Sequence, residues 1–266
     1  MPEGHTIHRL TADHRKLFAG TSLQFRSPQG RFAEGAEQLD GQTLLEIEAW
    51  GKHLFYRWEQ GEILHIHLGL YGKFRPHRVP LPEPRGQVRL RGWNDAYGFD
   101  LNGPNQCELI SETARAEIVG RLGEDPLRPD ADPDRLWDRI RSSRAAIGRL
   151  LLDQSVVAGI GNVYRAEVLF LHGLHPERQA RSLSREEFDG LWETLVRLLN
   201  LGVKHNRIIT ADAADFGKAP SRLTRDERLL VYKRAECRRC RGTIADWKLG
   251  ARTIYACLTC QPLQEA

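Results

Sequence analysis

The sequence of 266 residues contains no apolar run long enough to cross a membrane, and its N-terminus lacks a signal-peptide pattern. Internal repeats and low-complexity tracts are also absent. Hydrophobic residues make up 41% of the chain and charged residues 28%, which is ordinary for a soluble globular protein. We therefore expect a cytoplasmic monomer without a membrane partner, and the length suggests about two domains.

Cysteine is scarce, with five residues in the whole chain. Four of them form two pairs near the C-terminus, while Cys107 stands alone and is interpreted as a small buried hydrophobic residue rather than a reactive thiol. This usage is typical of a protein from a reducing compartment and argues against a disulfide scaffold.

Acidic residues are scarce in the second half of the chain. Residues 1–134 hold 16 Lys and Arg against 20 Asp and Glu, whereas residues 135–266 hold 23 against 15. A basic half indicates a polyanionic partner, most often nucleic acid. A basic surface that serves solubility alone is the alternative, and charge by itself leaves both open.

The N-terminal half predicts one helix followed by antiparallel strands. Residues 5–18 keep a helical period of apolar positions, and apolar residues alternate with histidines in EILHIHLGLYG. The segments LEIEAWGKHLFYRW, QVRLRGW and YGFDLNG also have strand character, separated by Gly and Pro. We therefore predict an α+β protein whose N-terminal half is a β-sandwich.

The C-terminal half predicts helices. The Pro- and Asp-rich stretch LGEDPLRPDADP suits a linker, and Asp132 followed by Pro133 is an N-cap with a first-turn proline. A second helix begins at SREEFDGLWETLVRLL, where Ser184 and Glu187 match a capping box. Residues 206–228 are polar and irregular and are predicted to form a loop.

The motif CRRC…CLTC is the strongest chemical signal. Two residues separate the cysteines within each pair, and sixteen residues lie between the pairs, which is zinc-ribbon spacing. Four thiolates leave no open coordination position on zinc, so we predict one structural ion. Basic side chains around the motif favour contact with phosphate. The predicted ligands are Cys237, Cys240, Cys257 and Cys260.

Two further motifs are ambiguous when taken alone. Removal of Met1 would leave Pro2 as a secondary amine, but Pro2 could equally be a first-turn helix proline and Glu3 a partner for the helix dipole. In AGIGNVYRAEVLF, the turn before Asn162 could hold a phosphate through backbone N–H groups, or it could be an ordinary turn between helices.

The order of the motifs resolves these alternatives. PEG, WGKHL, HLGLYG, LGEDPL, LLDQ, GIGNVY and the cysteine pairs follow one another, and the whole chain resembles the formamidopyrimidine-DNA glycosylase / endonuclease VIII (Fpg/Nei) family. The resemblance implies a β-sandwich with flanking helices, a helix–two-turns–helix domain and a β-hairpin zinc finger. The implied boundaries are 1–122 for the sandwich, 123–134 for a linker, 135–228 for the helical domain and 229–262 for the finger.

The resemblance also implies a nucleoid-associated enzyme of base excision repair that acts on damaged double-stranded DNA. Such an enzyme is both a DNA glycosylase and an apurinic/apyrimidinic (AP) lyase. Pro2 would attack C1′ of the damaged nucleotide and form a Schiff base, and Glu3 would be the general acid and base. An α-amino group has a pKa of about 8, so a useful fraction of it is neutral at pH 7.

Further residues match family positions that hold DNA. Lys52, in the strand-like segment WGKHL, Asn162 and Arg252 correspond to contacts with phosphates around the extruded nucleotide, and Lys52 and Arg252 also count among the implied catalytic residues. Leu70 and Tyr71 correspond to the loop that fills the gap in the duplex. Glu167 lies in the same motif as Asn162, with a structural role at least as well supported as a functional one.

The choice of lesion depends on departures from the family pattern. Thr6 stands where many members have Glu, and AYGFDLNGP lacks a clear Arg-Phe pair of the purine-directed branch. The Leu-Tyr loop favours the endonuclease VIII branch and oxidised pyrimidines. A glycosylase for oxidised purines and a non-catalytic zinc-finger DNA-binding protein are the alternatives. His65 and His67 are interpreted as residues of a sheet surface rather than metal ligands.

Overall fold

The computed structural model describes residues 2–263. The chain divides into two compact units. The first contains the N-terminal residues through Glu3 and the segment Ile7–Arg121, and the second contains Gly4–Thr6 and the chain from Leu122 onward. The finer division of the second unit at 123–134, 135–228 and 229–262 stays a prediction.

Eight strands of the first unit form two antiparallel sheets of four. One sheet has the order β1-β6-β7-β5 and the other the order β2-β3-β4-β8. The strands are β1 (Gln24–Arg26), β2 (Leu44–Trp50), β3 (His53–Trp58), β4 (Ile63–His67), β5 (Lys73–Arg78), β6 (Val88–Trp93), β7 (Tyr97–Asn102) and β8 (Gln106–Ile110).

Alternation along these strands produces one apolar core. Leu54, Tyr56 and Ile66 from the second sheet share a buried cluster with Phe99 and Leu101 from the first sheet. Successive residues of a strand point to opposite faces, so each sheet turns one apolar face inward. The predicted β-sandwich is confirmed.

Three helices flank the sandwich: α1 (Gly4–Phe18), α2 (Ala33–Leu39) and α3 (Glu112–Gly120). Helix α1 confirms the prediction for residues 5–18. Its Ile7 and Phe18 are at most 1% exposed and belong to the core of the sandwich.

The second unit is helical and ends in a hairpin. Its helices are α4 (Pro133–Arg141), α5 (Ile147–Leu150), α6 (Asn162–Leu171) and α7 (Arg185–His205), and its strands are β9 (Ala245–Leu249) and β10 (Arg252–Ala256). Short 3₁₀ turns lie at Ala180–Ser182, Ala214–Phe216 and Pro220–Arg222. Residues 206–228 contain no α-helix or strand, as predicted.

The predicted helix starts are confirmed by their caps. The Asp132 carboxylate accepts hydrogen bonds from the backbone N–H groups of Asp134 and Arg135. The Ser184 hydroxyl accepts from the Glu187 N–H at 3.1 Å, and the Glu187 carboxylate accepts from the Ser184 N–H at 2.8 Å. This reciprocal pair satisfies two N–H groups that have no partner inside the helix.

The hairpin packs on α6 through a small apolar cluster. Ile254 of β10 and Val231 are buried together with Ala166 and Phe170 of α6. Within residues 2–263, none of the helices combines the length and the apolar character that a membrane crossing requires.

Candidate functional site

The N-terminal residues Pro2 and Glu3 precede helix α1 rather than forming its first turn. Glu3 is the N-cap with extended backbone angles, and Gly4 is the first helical residue. The reading of Pro2 as a first-turn proline is therefore wrong. Glu3 is fully buried, and Pro2 is half-buried. A buried carboxylate thus follows the proline directly, while Met1 lies outside the described residues.

Lys52 lies at the tip of a hairpin in the first unit. Trp50 of β2 pairs with His53 of β3, which leaves Gly51 and Lys52 as a two-residue turn. Gly51 has a φ of 57°, as such turns require. The strand-like pattern WGKHL therefore contains a turn at Lys52, which presents the lysine at the end of the sheet.

A chain of hydrogen bonds runs beside Lys52 across the outer face of this sheet. His53 Nδ1 lies 2.9 Å from His65 Nε2, and His65 Nδ1 lies 3.0 Å from a carboxylate oxygen of Glu108. Burial lowers the pKa of His53 to about 3, and the charge of Lys52 contributes to this shift. His65 is fully buried, so the reading of this histidine as a surface residue is wrong.

Leu70 and Tyr71 are the tip of the turn between β4 and β5. The Gly72 N–H donates to the Leu68 carbonyl at 2.9 Å, which closes the turn and leaves the two apolar side chains outside it. Leu70 is 43% exposed and Tyr71 is 85% exposed, although Leu68 beside them is buried. Two large exposed apolar side chains on a closed turn suit insertion between bases.

Asn162 is the first residue of α6 in the second unit, and it is buried. Its side-chain amide donates to the Thr253 carbonyl at 2.8 Å, and its Oδ1 accepts from the guanidinium of buried Arg165. Arg165 also donates to the carbonyl of Gly148. The amide is therefore held in one orientation at the start of α6.

Arg252 is brought to this place by the same hydrogen bond, since it precedes Thr253 in β10. It pairs with Leu249 across a two-residue turn, and its side chain is exposed. The structure thus brings together two predicted phosphate-binding residues that are 90 positions apart in the sequence. Arg165, which links Asn162 to Thr253, was not predicted, and no local sequence signal marks it.

The four cysteines of the finger form a cluster of thiol groups. All four Sγ atoms lie within 4.8 Å of one another. Cys237 and Cys260 are 3.8 Å apart, and Cys240 and Cys257 are 3.4 Å apart. Tetrahedral zinc with Zn–S bonds of about 2.3 Å places sulfurs about 3.8 Å apart. The cluster therefore fits a tetrahedral metal ion with four sulfur ligands.

Glu167 has a structural environment. It is fully buried in α6, and its carboxylate accepts hydrogen bonds from the Thr210 hydroxyl and from the backbone N–H groups of Leu230, Val231 and Tyr232. Burial raises the pKa of Glu167, and the four donors act in the opposite direction. The carboxylate ties α6 to the polar loop of residues 206–228, through Thr210, and to the segment that follows this loop.

Known proteins resemble both units. The chain matches the formamidopyrimidine-DNA glycosylase N-terminal domain over residues 1–100 and the H2TH domain of the same enzyme over residues 122–213. Endonuclease 8 1 of Mycobacterium tuberculosis is 47% identical, with 98% of this chain and all of that protein covered. The formamidopyrimidine-DNA glycosylase of Thermomicrobium roseum is 32% identical over 86% of this chain and 85% of that protein.

Solved structures share the fold. A Lactococcus lactis Fpg, crystallised with DNA that contains N7-benzyl-Fapy-dG, matches with a TM-score of 0.82 and 24% identity over 98% of this chain and all of that chain. The relatives of high identity and full coverage decide the assignment. The chain belongs to the Fpg/Nei family of DNA glycosylases and AP lyases, on its endonuclease VIII-like branch.

Proposed function

We propose that this DNA glycosylase and AP lyase of base excision repair removes oxidised pyrimidines from double-stranded DNA with Pro2 as the nucleophile. The observation that carries the proposal is the fully buried Glu3 carboxylate directly after Pro2. A buried carboxylate next to a secondary amine is a suitable acid and base for chemistry at C1′. Membership of an enzyme family argues against the non-catalytic alternative.

The reaction begins once Met1 has been removed. The lone pair of the neutral Pro2 amine attacks C1′ and the bond from C1′ to the base breaks. The departing base takes up the proton that the Pro2 nitrogen releases. Glu3 moves a proton to the deoxyribose as the ring opens, and an iminium ion links Pro2 to C1′. The iminium acidifies the C2′ proton, so its loss expels the 3′ phosphate, and a second elimination expels the 5′ phosphate.

DNA is held by cations and by the rigid amide. Lys52 lies in the turn of hairpin β2–β3, and Arg252 directly follows the turn of hairpin β9–β10. Hydrogen bonds to Arg165 and Thr253 fix the orientation of the Asn162 side-chain amide. Such contacts fix register on the duplex and carry little sequence information. Leu70 and Tyr71 would fill the space that the extruded nucleotide leaves.

The four-cysteine cluster would hold one zinc ion in the finger. A zinc ion with four thiolate ligands supplies folding free energy and takes no part in bond chemistry. The Cys237 N–H donates to the Gly242 carbonyl at 2.8 Å and the Arg241 N–H to the Cys237 carbonyl at 3.0 Å, so the first cysteine pair lies on a tight turn. This geometry supports a structural ion that keeps the hairpin with Arg252 in place.

The pyrimidine preference is supported by the exposed Leu70–Tyr71 pair and by the name of the mycobacterial relative, endonuclease 8. The relative from Thermomicrobium roseum is named for formamidopyrimidine, so oxidised purines are the second candidate class. Single-lesion duplexes that carry either an oxidised pyrimidine or 8-oxoguanine separate the two classes. Faster single-turnover excision of 8-oxoguanine would overturn the preference for pyrimidines.

Borohydride trapping tests the nucleophile. Reduction of the iminium should link the protein covalently to AP-site DNA, and Pro2→Gly should strongly reduce the product. Intact mass provides the control that Met1 has been removed. An uncleaved N-terminal tag should abolish trapping; a blocked protein that still forms the adduct would assign the nucleophile to a lysine instead.

A further inference from the structure

Gln154 ends the motif LLDQ, to which the proposed function gives no role. Its side-chain amide holds both sides of the turn that precedes α6. Oε1 accepts from the Gly159 N–H at 3.1 Å, and Nε2 donates to the Ile160 carbonyl at 2.9 Å. Nε2 also donates to the Leu152 carbonyl at 3.0 Å. One side chain therefore fixes the orientation of the Gly159–Ile160 segment.

The other side of this turn holds the N-terminal segment. The Gly159 carbonyl accepts from the Gly4 N–H at 2.8 Å. The backbones are so close that a Cβ on Gly4 would lie 2.9 Å from Gly159 Cα. Gly159 itself has a φ of 86°, which favours glycine. Both glycines are thus required for the contact.

His5 provides a second anchor for the same segment. Its ring packs edge-on against Tyr164 of α6, with 5.4 Å between ring centroids. On the other side, a Cβ on Gly202 of α7 would lie 2.9 Å from the Cβ of His5. These contacts explain why Gly4–Thr6 belong to the second unit although the rest of α1 belongs to the first.

We propose that Gln154 is a positioning residue for the N-terminal amine and acts through Gly159 and Gly4. Pro2 is two residues before Gly4, so the reach of the chain keeps its nitrogen within about 9 Å of Gly4 Cα. Fixing Gly4 therefore restricts the space from which the amine attacks C1′. A displacement of about 1 Å at a reacting group can lower a rate about 100-fold. This inference rests on the proposed role of Pro2.

Two substitutions test the connection at different points. Gly4→Ala separates the two backbones, and Gln154→Ala removes the brace without touching the N-terminus. Gly120→Ala is the matched control, because a Cβ at this exposed position in α3 meets no atom within 4 Å. Gln154→Glu keeps the acceptor for the Gly159 N–H but loses the donor to Ile160, so an intermediate effect is expected.

The readout separates positioning from binding. We expect the trapping rate at saturating AP-site DNA to fall at least about ten-fold in Gly4→Ala and Gln154→Ala, with the Kd for the same DNA changed less than about three-fold. Gly120→Ala should match the wild type in both quantities. Intact mass confirms in every variant that Met1 is absent. A wild-type trapping rate in Gly4→Ala, or a loss that disappears at saturating DNA, would overturn the inference.

The same experiment distinguishes this inference from the proposed function. If the protein with an uncleaved N-terminal tag traps as well as the wild type, the nucleophile is wrong whatever the other variants do. If the blocked terminus abolishes trapping while Gln154→Ala reacts normally, Pro2 keeps its role and Gln154 loses its own. Should Gln154→Ala fail to fold, Gln154→Glu decides the role of Gln154, and a wild-type trapping rate in that variant would overturn it.

Discussion

The hairpins β2–β3 and β9–β10 have the same turn but different surroundings. Each has a two-residue turn that begins with a glycine of positive φ, and each presents a cation, Lys52 in the turn itself and Arg252 directly after it. Hairpin β2–β3 continues into a four-stranded sheet over a large core. Hairpin β9–β10 is a two-stranded sheet.

This difference shows where stability must come from in each region. An isolated two-stranded hairpin is at best marginally stable in water. The sandwich is stabilised by its large apolar core. Hairpin β9–β10 has instead the small apolar cluster on α6 and the cluster of four cysteines. The same turn geometry therefore presents a cation in both places, whereas the contacts that stabilise the two hairpins differ.

Removal of zinc should separate the two hairpins most strongly. Structural zinc contributes folding free energy on the order of 10 kcal/mol to small zinc domains, so Cys237→Ser should release the ion and unfold β9–β10. Amide hydrogen exchange should show lost protection there and retained protection in β2–β3. Cys107→Ser, in the sandwich, is the matched control. Full metal content and full activity in Cys237→Ser would contradict a site of four cysteines.

Glu167→Gln should have the next largest effect, again on the finger side. In the variant an NH2 group replaces one carboxylate oxygen, so a donor faces N–H groups that need an acceptor. We expect the free energy of unfolding to fall by on the order of 3 kcal/mol. Urea unfolding measures the loss, and hydrogen exchange should place it in residues 229–263. Glu193→Gln, an exposed position in α7, is the control. Equal unfolding free energies for both variants would show that the contacts with the four donors do not require a charged carboxylate at position 167.

His14 should make the stability of the sandwich depend on pH. It is buried against Tyr56, with 2.7 Å between Nδ1 and the hydroxyl oxygen, and burial lowers its pKa from 6.5 to about 4. The unfolded chain takes up the proton first, so the contribution of His14 is complete above pH 6.5 and is lost as pH falls toward 4. The shift corresponds to about 3 kcal/mol.

All other titratable groups are present in both the wild type and His14→Gln, so their contributions cancel when the two proteins are compared. The difference between the two proteins therefore reports on His14. The difference in unfolding free energy between wild type and variant should shrink from pH 7 to pH 4. A difference that stays constant over this range would mean that His14 is not held neutral by the fold.

Replacement of Lys52 or of Arg252 should have the smallest effect among these variants. The two replacements should change DNA binding to a similar extent. Lys52→Ala and Arg252→Ala should each weaken binding to every lesion by a similar factor and flatten the dependence of log K on log salt by about 0.9. The double variant should flatten it by about twice that amount. Base excision should suffer more than AP-site cleavage, because an abasic nucleotide is easier to extrude. An unchanged slope in one variant would remove that residue from the phosphate contacts.

Local features were predictable because neighbouring residues in the chain determine them. The Asp132 cap and the Ser184–Glu187 capping box depend on hydrogen bonds within a few residues. The two-residue spacing of the cysteines likewise reflects one tight turn for each pair. The order of the motifs along the chain then indicated the family, and the family models confirm it.

Contacts between distant segments were decided by the tertiary structure. Asn162 binds the carbonyl of Thr253, Gly4 binds Gly159, and Glu167 collects donors from 210 and 230–232. The segment WGKHL was predicted as a strand but contains a turn at Gly51 and Lys52. Alternation of apolar and polar residues shows which face of a sheet a side chain is on, but it does not show where the chain reverses direction. Such contacts depend on how helices and sheets pack. Packing brings together residues that are far apart in the chain, and no local sequence pattern predicts which of them meet.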